Sequence, residues 1–351
     1  MSQFLNPRFA ALKEYTPGEQ PQDKQYIKLN TNESPFPPSD KVVQAVDAGQ
    51  VRDLRLYCDP DCTKLKTAMA QRFGVGENNL FLSNGSDDIL NFCFMAYGGG
   101  GAAFADITYG FYEVFAKLHG VQAEIIPLRE DFSLDVEGFK GKNKLVVIAN
   151  PNAPTGLCLD LTVIEDIVRS NPNGVVVVDE AYVDFGGESC YRLIDRYENL
   201  VVCQTFSKSR SLAGGRLGFA FACPALIADL EKIKYSTNPY NINRLTQVAG
   251  LAVVEDDGYY MDNCRRIEEN RAFAVERLEG LGFEVLPSKA NFIFCRSDRM
   301  GGKQLYLQLK EKGILVRHFD KARISDFVRI TIGTREQMGA LVDAVRQLLG
   351  E

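Results

Sequence analysis

Short apolar and β-branched runs recur along the first two thirds of the chain. Each is followed by glycine, asparagine or proline and then by apolar residues spaced three and four apart. The runs Phe81-Leu82, Ala102 to Ala105, Glu124 to Ile126, Leu145 to Ala149, Val175 to Val178, Val201 to Gln204 and Phe219 to Ala222 predict strands. Asp87 to Ala96, Gly110 to His119 and Leu161 to Arg169 predict helices. Strands this uniformly apolar have no wet face, so the pattern predicts an α/β fold with a mostly parallel sheet sandwiched by helices. After about residue 245 the pattern changes. A long charged amphipathic segment, Asp256 to Leu281, leads to strands near Phe283 to Leu286 and Phe292 to Cys295, then a helix, two more short strands and a terminal helix. That is a smaller α+β unit. Pro7, Pro17, Gly18 and Pro21 mark the start of the chain as an arm. The expected division is an arm over 1–30, a large domain over 31–245 and a small domain over 246–351.

Composition narrows the function classes. The 351 residues are 45 % hydrophobic and 25 % charged, which excludes disorder as the main state. Forty Lys plus Arg against 46 Asp plus Glu give 40 − 46 = −6, so nothing global attracts nucleic acid or an anionic membrane. Any anion needs a local site. Nine scattered cysteines, an odd number in a chain too long to need staples, suit a reducing cytoplasm. The charge-free stretch Ile89 to Ala105 is broken by Asn91 and four glycines and falls short of the ~20 apolar residues of a spanning helix. Only His119 and His318 are available for a metal site or a hydrolase triad. Cys58 and Cys62 have metal-like spacing but no second pair, so no metal is expected.

Four features stand at or just beyond predicted strand ends, the edge where α/β sheets bind ligands. Asn84-Gly85-Ser86-Asp87 joins a strand to a helix, where free N–H groups and the helix dipole suit a phosphate as well as an ordinary cap. Asn150 to Gly156 is a proline-shaped loop. Asp179-Glu180-Ala181-Tyr182 follows four valines, and a carboxylate at the end of so buried a strand needs a partner to stay ionised. Thr205-Phe206-Ser207-Lys208 is followed by Gly214-Gly215-Arg216-Leu217-Gly218. Lysine forms Schiff bases with aldehydes, and an arginine among glycines can clamp a phosphate. Together these are the parts needed to hold pyridoxal phosphate.

At this point a resemblance becomes specific. Asp179-x-x-Tyr182, Ser207-Lys208 and Arg216 resemble the fold type I pyridoxal-phosphate aminotransferases. More narrowly, Leu29-Asn30-Thr31-Asn32-Glu33-Ser34-Pro35, Tyr57-Cys58-Asp59-Pro60-Asp61, Val316-Arg317-His318-Phe319 and Val328-Arg329-Ile330-Thr331-Ile332-Gly333-Thr334 resemble the histidinol-phosphate aminotransferases, in that family's order. The resemblance implies a homodimer that exchanges an amino group between L-histidinol phosphate and 2-oxoglutarate, giving glutamate. It implies that Lys208 carries the cofactor, that Asp179 pairs with its ring nitrogen and that Tyr182 bonds its ring hydroxyl. Gly85, Ser86, Asp87, Ser207 and Arg216 would hold its phosphate, with Tyr57 reaching in from the other subunit, while Tyr109 stacks on the ring. Asn152 is a further cofactor candidate. Tyr15, Asn32, Asn291, Arg317 and Arg329 would bind substrate. Two positions depart from the family. Ala153 stands where an asparagine commonly donates to the ring hydroxyl, and Cys58 replaces a proline. Rival readings are an aromatic amino-acid aminotransferase, a threonine-phosphate decarboxylase and a non-catalytic ligand-binding protein; the intact Lys208 speaks against the last.

Overall fold

The computed structural model describes residues 2–10 and 12–351. Its strands, in chain order, are β1 (Ile27–Lys28), β2 (Leu80–Ser83), β3 (Ala102–Ala105), β4 (Ala123–Ile126), β5 (Leu145–Ala149), β6 (Val176–Asp179) and β7 (Leu200–Thr205). They continue with β8 (Gly218–Ala222), β9 (Phe283–Val285), β10 (Phe292–Ser297), β11 (Ile314–Leu315), β12 (Arg317–His318) and β13 (Val328–Thr331). All seven strands expected in the first part of the chain are present within one or two residues, as are the three helices, now Ser86–Tyr97, Phe111–His119 and Leu161–Ser170.

Those seven strands form one sheet in the order β2-β8-β7-β6-β5-β3-β4, parallel from β7 to β4, with β8 antiparallel to both neighbours. Alternate side chains enter two different cores, as a two-residue period requires. Val176, Val178, Leu200 and Val202 pack with the helices Thr63–Phe73, Leu161–Ser170 and Arg244–Glu255. Val177, Val201 and Cys203 pack with Ser86–Tyr97, Phe111–His119 and Pro224–Thr237. Helices on both faces explain why these strands read as unbroken apolar runs.

The last third forms a four-stranded antiparallel sheet, β12-β13-β10-β9, with its own core against the helix Asp257–Gly280 and the terminal helix Arg335–Leu349. A capping box starts the terminal helix: Gln337 N–H donates to Thr334 Oγ1, and Thr334 N–H to the Gln337 side chain. Three short strands follow the helix Gly302–Glu311, where the sequence pattern predicts two. The chain changes partner at Val316: β11 pairs with β1, and β12 pairs with β13. That pairing stitches the end of the arm to the small sheet, and Thr331 N–H donates to Leu29 O at 2.9 Å beyond it. Residues 29–32 therefore run between the two sheets. No described helix is long and apolar enough to cross a membrane.

Candidate active site

The carboxyl ends of β5, β6 and β7 deliver the loops at 150–156, 179–182 and 205–208 to one edge of the large sheet. There a cavity of about 550 Å³ opens between that edge, the arm and the small sheet. Its wall includes Tyr15, Asn32, Ser86, Asp87, Tyr109, Asp179, Tyr182, Ser207, Lys208, Arg216, Arg317 and Arg329. Residues spread over more than 300 positions thus converge on one space.

One end is shaped for a phosphate. Gly85 has φ +84°, a conformation L side chains avoid, and a Cβ there would lie 2.5 Å from Arg216 Nη2. Gly218 on β8 runs so close behind that its Cβ would meet Ser86 N at 2.4 Å. The helix Ser86–Tyr97 begins with no side-chain cap, which leaves its first N–H groups directed outward beside a positive guanidinium. Arg216 itself has φ +51°, donates to Ser207 Oγ at 3.3 Å and pairs with Asp87 at 3.3 Å. The Tyr109 hydroxyl donates to the other Asp87 oxygen at 2.8 Å.

Lys208 is partly buried, and its Nζ donates to Thr31 O at 3.3 Å and lies 5.9 Å from the Tyr182 ring. Burial, helped by the nearby Arg329 charge, pulls its pKa down to about 8. Asp179 is buried at the end of β6 and accepts from Tyr112 Oη at 2.7 Å and from Ala181 N at 3.2 Å. Burial still pushes its pKa up to about 6, so the carboxylate lacks a full countercharge. Sequence reasoning missed Tyr112. Its signal was a hydroxyl on a wholly buried aromatic of a core-facing helix, which requires a partner.

At the opposite end, Arg317 and Arg329 are register partners across β12 and β13. Like charges directly opposite on a sheet repel. Their hydrogen-bond partners are main-chain carbonyls: Thr16 and Pro17 for Arg317, Asn30 for Arg329. Arg329 Nε is buried without a partner among the described residues. Tyr15 stacks on Phe111 at 4.2 Å between ring centroids and so closes the arm over this end.

Besides Gly85, which shapes the phosphate end through its close approach to Arg216, three residues singled out from the sequence are not on the cavity wall. The Asn152 amide is spent between loops, accepting from Thr108 Oγ1 at 2.8 Å and donating to Ile107 O at 3.0 Å, while Ala153 faces the cavity. Asn291 is fully buried and donates to Asn32 O at 3.0 Å. Tyr57 is 81 % exposed, stacked on Tyr240 at 4.5 Å.

The residues fit pyridoxal phosphate: an unshielded helix start with an arginine for the phosphate, a depressed lysine for the aldehyde, and a buried carboxylate short of a cation for a protonated ring nitrogen. The chain belongs to the class I and II aminotransferases, whose family model matches residues 24–345. It is 47 % identical to the histidinol-phosphate aminotransferase of Brachyspira hyodysenteriae over 352 residues, 99 % of each chain. Identity to the histidinol-phosphate aminotransferase of a Marinomonas species is 49 %, over 99 % of this chain and 100 % of the other. The histidinol-phosphate aminotransferase of Sinorhizobium meliloti, solved in complex with pyridoxal-5'-phosphate, shares the fold with a TM-score of 0.89, covering 100 % of this chain and 98 % of that one at 23 % identity.

Proposed function

We propose that this aminotransferase exchanges the amino group of L-histidinol phosphate with 2-oxoglutarate, as a step of histidine biosynthesis in the cytoplasm. The observation that carries this reading is the Arg317–Arg329 pair, two cations without a carboxylate partner among the described residues, on the same cavity as the Lys208 amine. One substrate carries a phosphate and the other a carboxylate, and forked guanidinium groups accept both.

Bound pyridoxal phosphate supplies the electron sink that makes a substrate Cα proton removable. Lys208 would hold the group through Nζ, and the same nitrogen, when free, would be the base placed to move the substrate Cα proton. Asp179, its carboxylate fixed by Tyr112, would set its negative charge against the ring nitrogen. Ser86, Ser207 and Arg216 hold the phosphate with main-chain and side-chain donors. Asp87 contributes its main-chain N–H, because its carboxylate repels a phosphate and is already engaged by Arg216 and Tyr109. Tyr109, on the cavity wall, would cover the ring.

A half-reaction screen tests the reading. Holoenzyme mixed with L-histidinol phosphate should lose its visible absorbance faster than with phenylalanine or O-phosphothreonine, and without release of carbon dioxide. Faster turnover of phenylalanine replaces the reading with an aromatic aminotransferase, and carbon dioxide from phosphothreonine replaces it with a decarboxylase.

We further propose a two-fold symmetric dimer in which Tyr57 reaches the partner's phosphate end. Tyr57 belongs to an exposed apolar strip with Val51, Leu54, Leu56 and Tyr240 and touches nothing in its own cavity. Sedimentation at assay concentration should give twice the 39.1 kDa chain mass. A fully active monomer ends this proposal.

A further inference from the structure

Ala153 offers a methyl group to the cavity and donates nothing. Tyr182 is then the side chain left to meet the ring hydroxyl of the cofactor, and the direction of its single proton decides whether it can donate. Asn32 lies behind it, 1 % exposed and held at φ +58°, with Nδ2 3.0 Å from the Tyr182 oxygen. Two more bonds tie Asn32 to Thr331: the Asn32 main-chain N–H donates to Thr331 Oγ1 at 3.0 Å, and that hydroxyl donates to Asn32 Oδ1 at 3.0 Å.

Counting protons fixes the amide. Thr331 is 2 % exposed and has one hydroxyl proton, whose acceptor here is Asn32 Oδ1. Were the amide turned over, Thr331 would face two donors and its own proton would be buried without an acceptor, a costly arrangement. With Oδ1 held toward Thr331, Nδ2 must face Tyr182. The phenol oxygen then accepts from Asn32, and its proton points away from Asn32. Burial raises the Tyr182 pKa, which keeps that proton in place. Asn291 steadies the same segment by donating to Asn32 O.

We propose that Asn32 and Thr331 are positioning residues that set the Tyr182 hydroxyl as a donor into the cavity, toward the ring oxygen of pyridoxal phosphate. The proposal rests on the cofactor reading above. It also gives β13 two tasks, since the strand that carries Arg329 for the substrate carries Thr331 for the cofactor.

The test is cofactor affinity. Holoenzyme is stripped and refilled with either pyridoxal phosphate or 3-deoxypyridoxal phosphate, which lacks the ring hydroxyl. Asn32→Asp is the decisive variant, because a carboxylate only accepts: it would take the Tyr182 proton and turn a lone pair toward the ring oxygen. Its Kd for pyridoxal phosphate should rise by roughly tenfold, the scale of one lost hydrogen bond between well-placed groups. Its Kd for the 3-deoxy compound should stay within about twofold of wild type, since no bond to the missing hydroxyl is there to lose. Thr331→Val frees the amide to turn and should give a smaller effect of the same selectivity, which keeps the proposal testable if Asn32→Asp does not fold. Wild-type affinity of Asn32→Asp for both compounds would put the amide the other way round and overturn the proposal. Equal weakening toward both would also overturn it, leaving Asn32 as scaffold only. A wild-type protein that binds neither compound at Lys208 removes the cofactor reading, and the proposal with it.

Discussion

Lys208→Ala is expected to lower amino transfer by about three orders of magnitude or more while leaving part of the cofactor affinity in place. Proton transfer by a positioned base alone contributes roughly 10²- to 10⁴-fold, and this variant also loses the covalent exchange that admits the substrate. The wild-type environment favours both tasks. With its pKa near 8, about one Lys208 amine in ten is neutral at pH 7, against fewer than about one in a thousand for a solvated lysine. Burial and the Arg329 charge cause that shift, so the stripped protein should capture pyridoxal phosphate faster as pH rises through this region, and Arg329→Ala should move the rise upward. The phosphate cup, Asp179 and Tyr182 do not depend on Lys208, so the variant should still bind pyridoxal phosphate, without the absorbance of a lysine-linked form. Borohydride treatment of the wild type should bleach the protein and leave the label on Lys208. Label on another lysine, or near-normal turnover by Lys208→Ala, overturns the assignment.

The large sheet was legible because both of its faces are buried. Burial on two sides forces runs such as Val175 to Val178 and Leu145 to Ala149, and glycine or asparagine at the turns marks where each run stops. The cofactor end was legible for a related reason: Ser207-Lys208 and Asp179-x-x-Tyr182 lie within a few residues of strand ends, so local spacing already groups them. What spacing could not show is which distant residues orient them. Tyr112 reads as one more core aromatic until it is found against Asp179, 67 positions away. Thr331 reads as a β-branched strand residue until it is found 299 positions from Asn32. Arg210 is 3 % exposed and pairs with Asp184 at 2.6 Å, which anchors the segment just after Lys208, yet in sequence it is an unremarked charge between two serines. The facing of Asn152 was hidden too, because the direction of a side chain in a proline-shaped loop is set by partners such as Thr108 on another strand's end. Long-range hydrogen bonds leave no periodicity to read.

Arg329→Ala is expected to impair both half-reactions, and Arg317→Ala to weaken histidinol phosphate more than glutamate. The two arginines face each other across β12 and β13, an arrangement that repels unless an anion lies between or beside them. Arg329 is the more constrained: Nη2 is spent on Asn30 O, Nε is buried without a partner among the described residues, and burial lowers its pKa without releasing the proton at any ordinary pH. It should therefore take the first anionic contact of either substrate. Arg317 donates only to the Thr16 and Pro17 carbonyls of the arm, so it can turn toward a second negative charge when one arrives. A phosphate dianion brings that charge in full, whereas glutamate divides its charges between two ends of the molecule. Each lost charge-assisted contact costs about 1.5 to 3 kcal/mol, or roughly ten- to 150-fold in kcat/KM. Arg329→Lys should recover only part of the loss, since a point charge cannot reproduce the fork. Separate half-reactions with histidinol phosphate and with glutamate would measure both variants. Equal losses on the two substrates in Arg317→Ala would assign it to holding the arm, and an Arg329→Ala enzyme of unchanged kcat/KM would remove the arginine pair from substrate recognition.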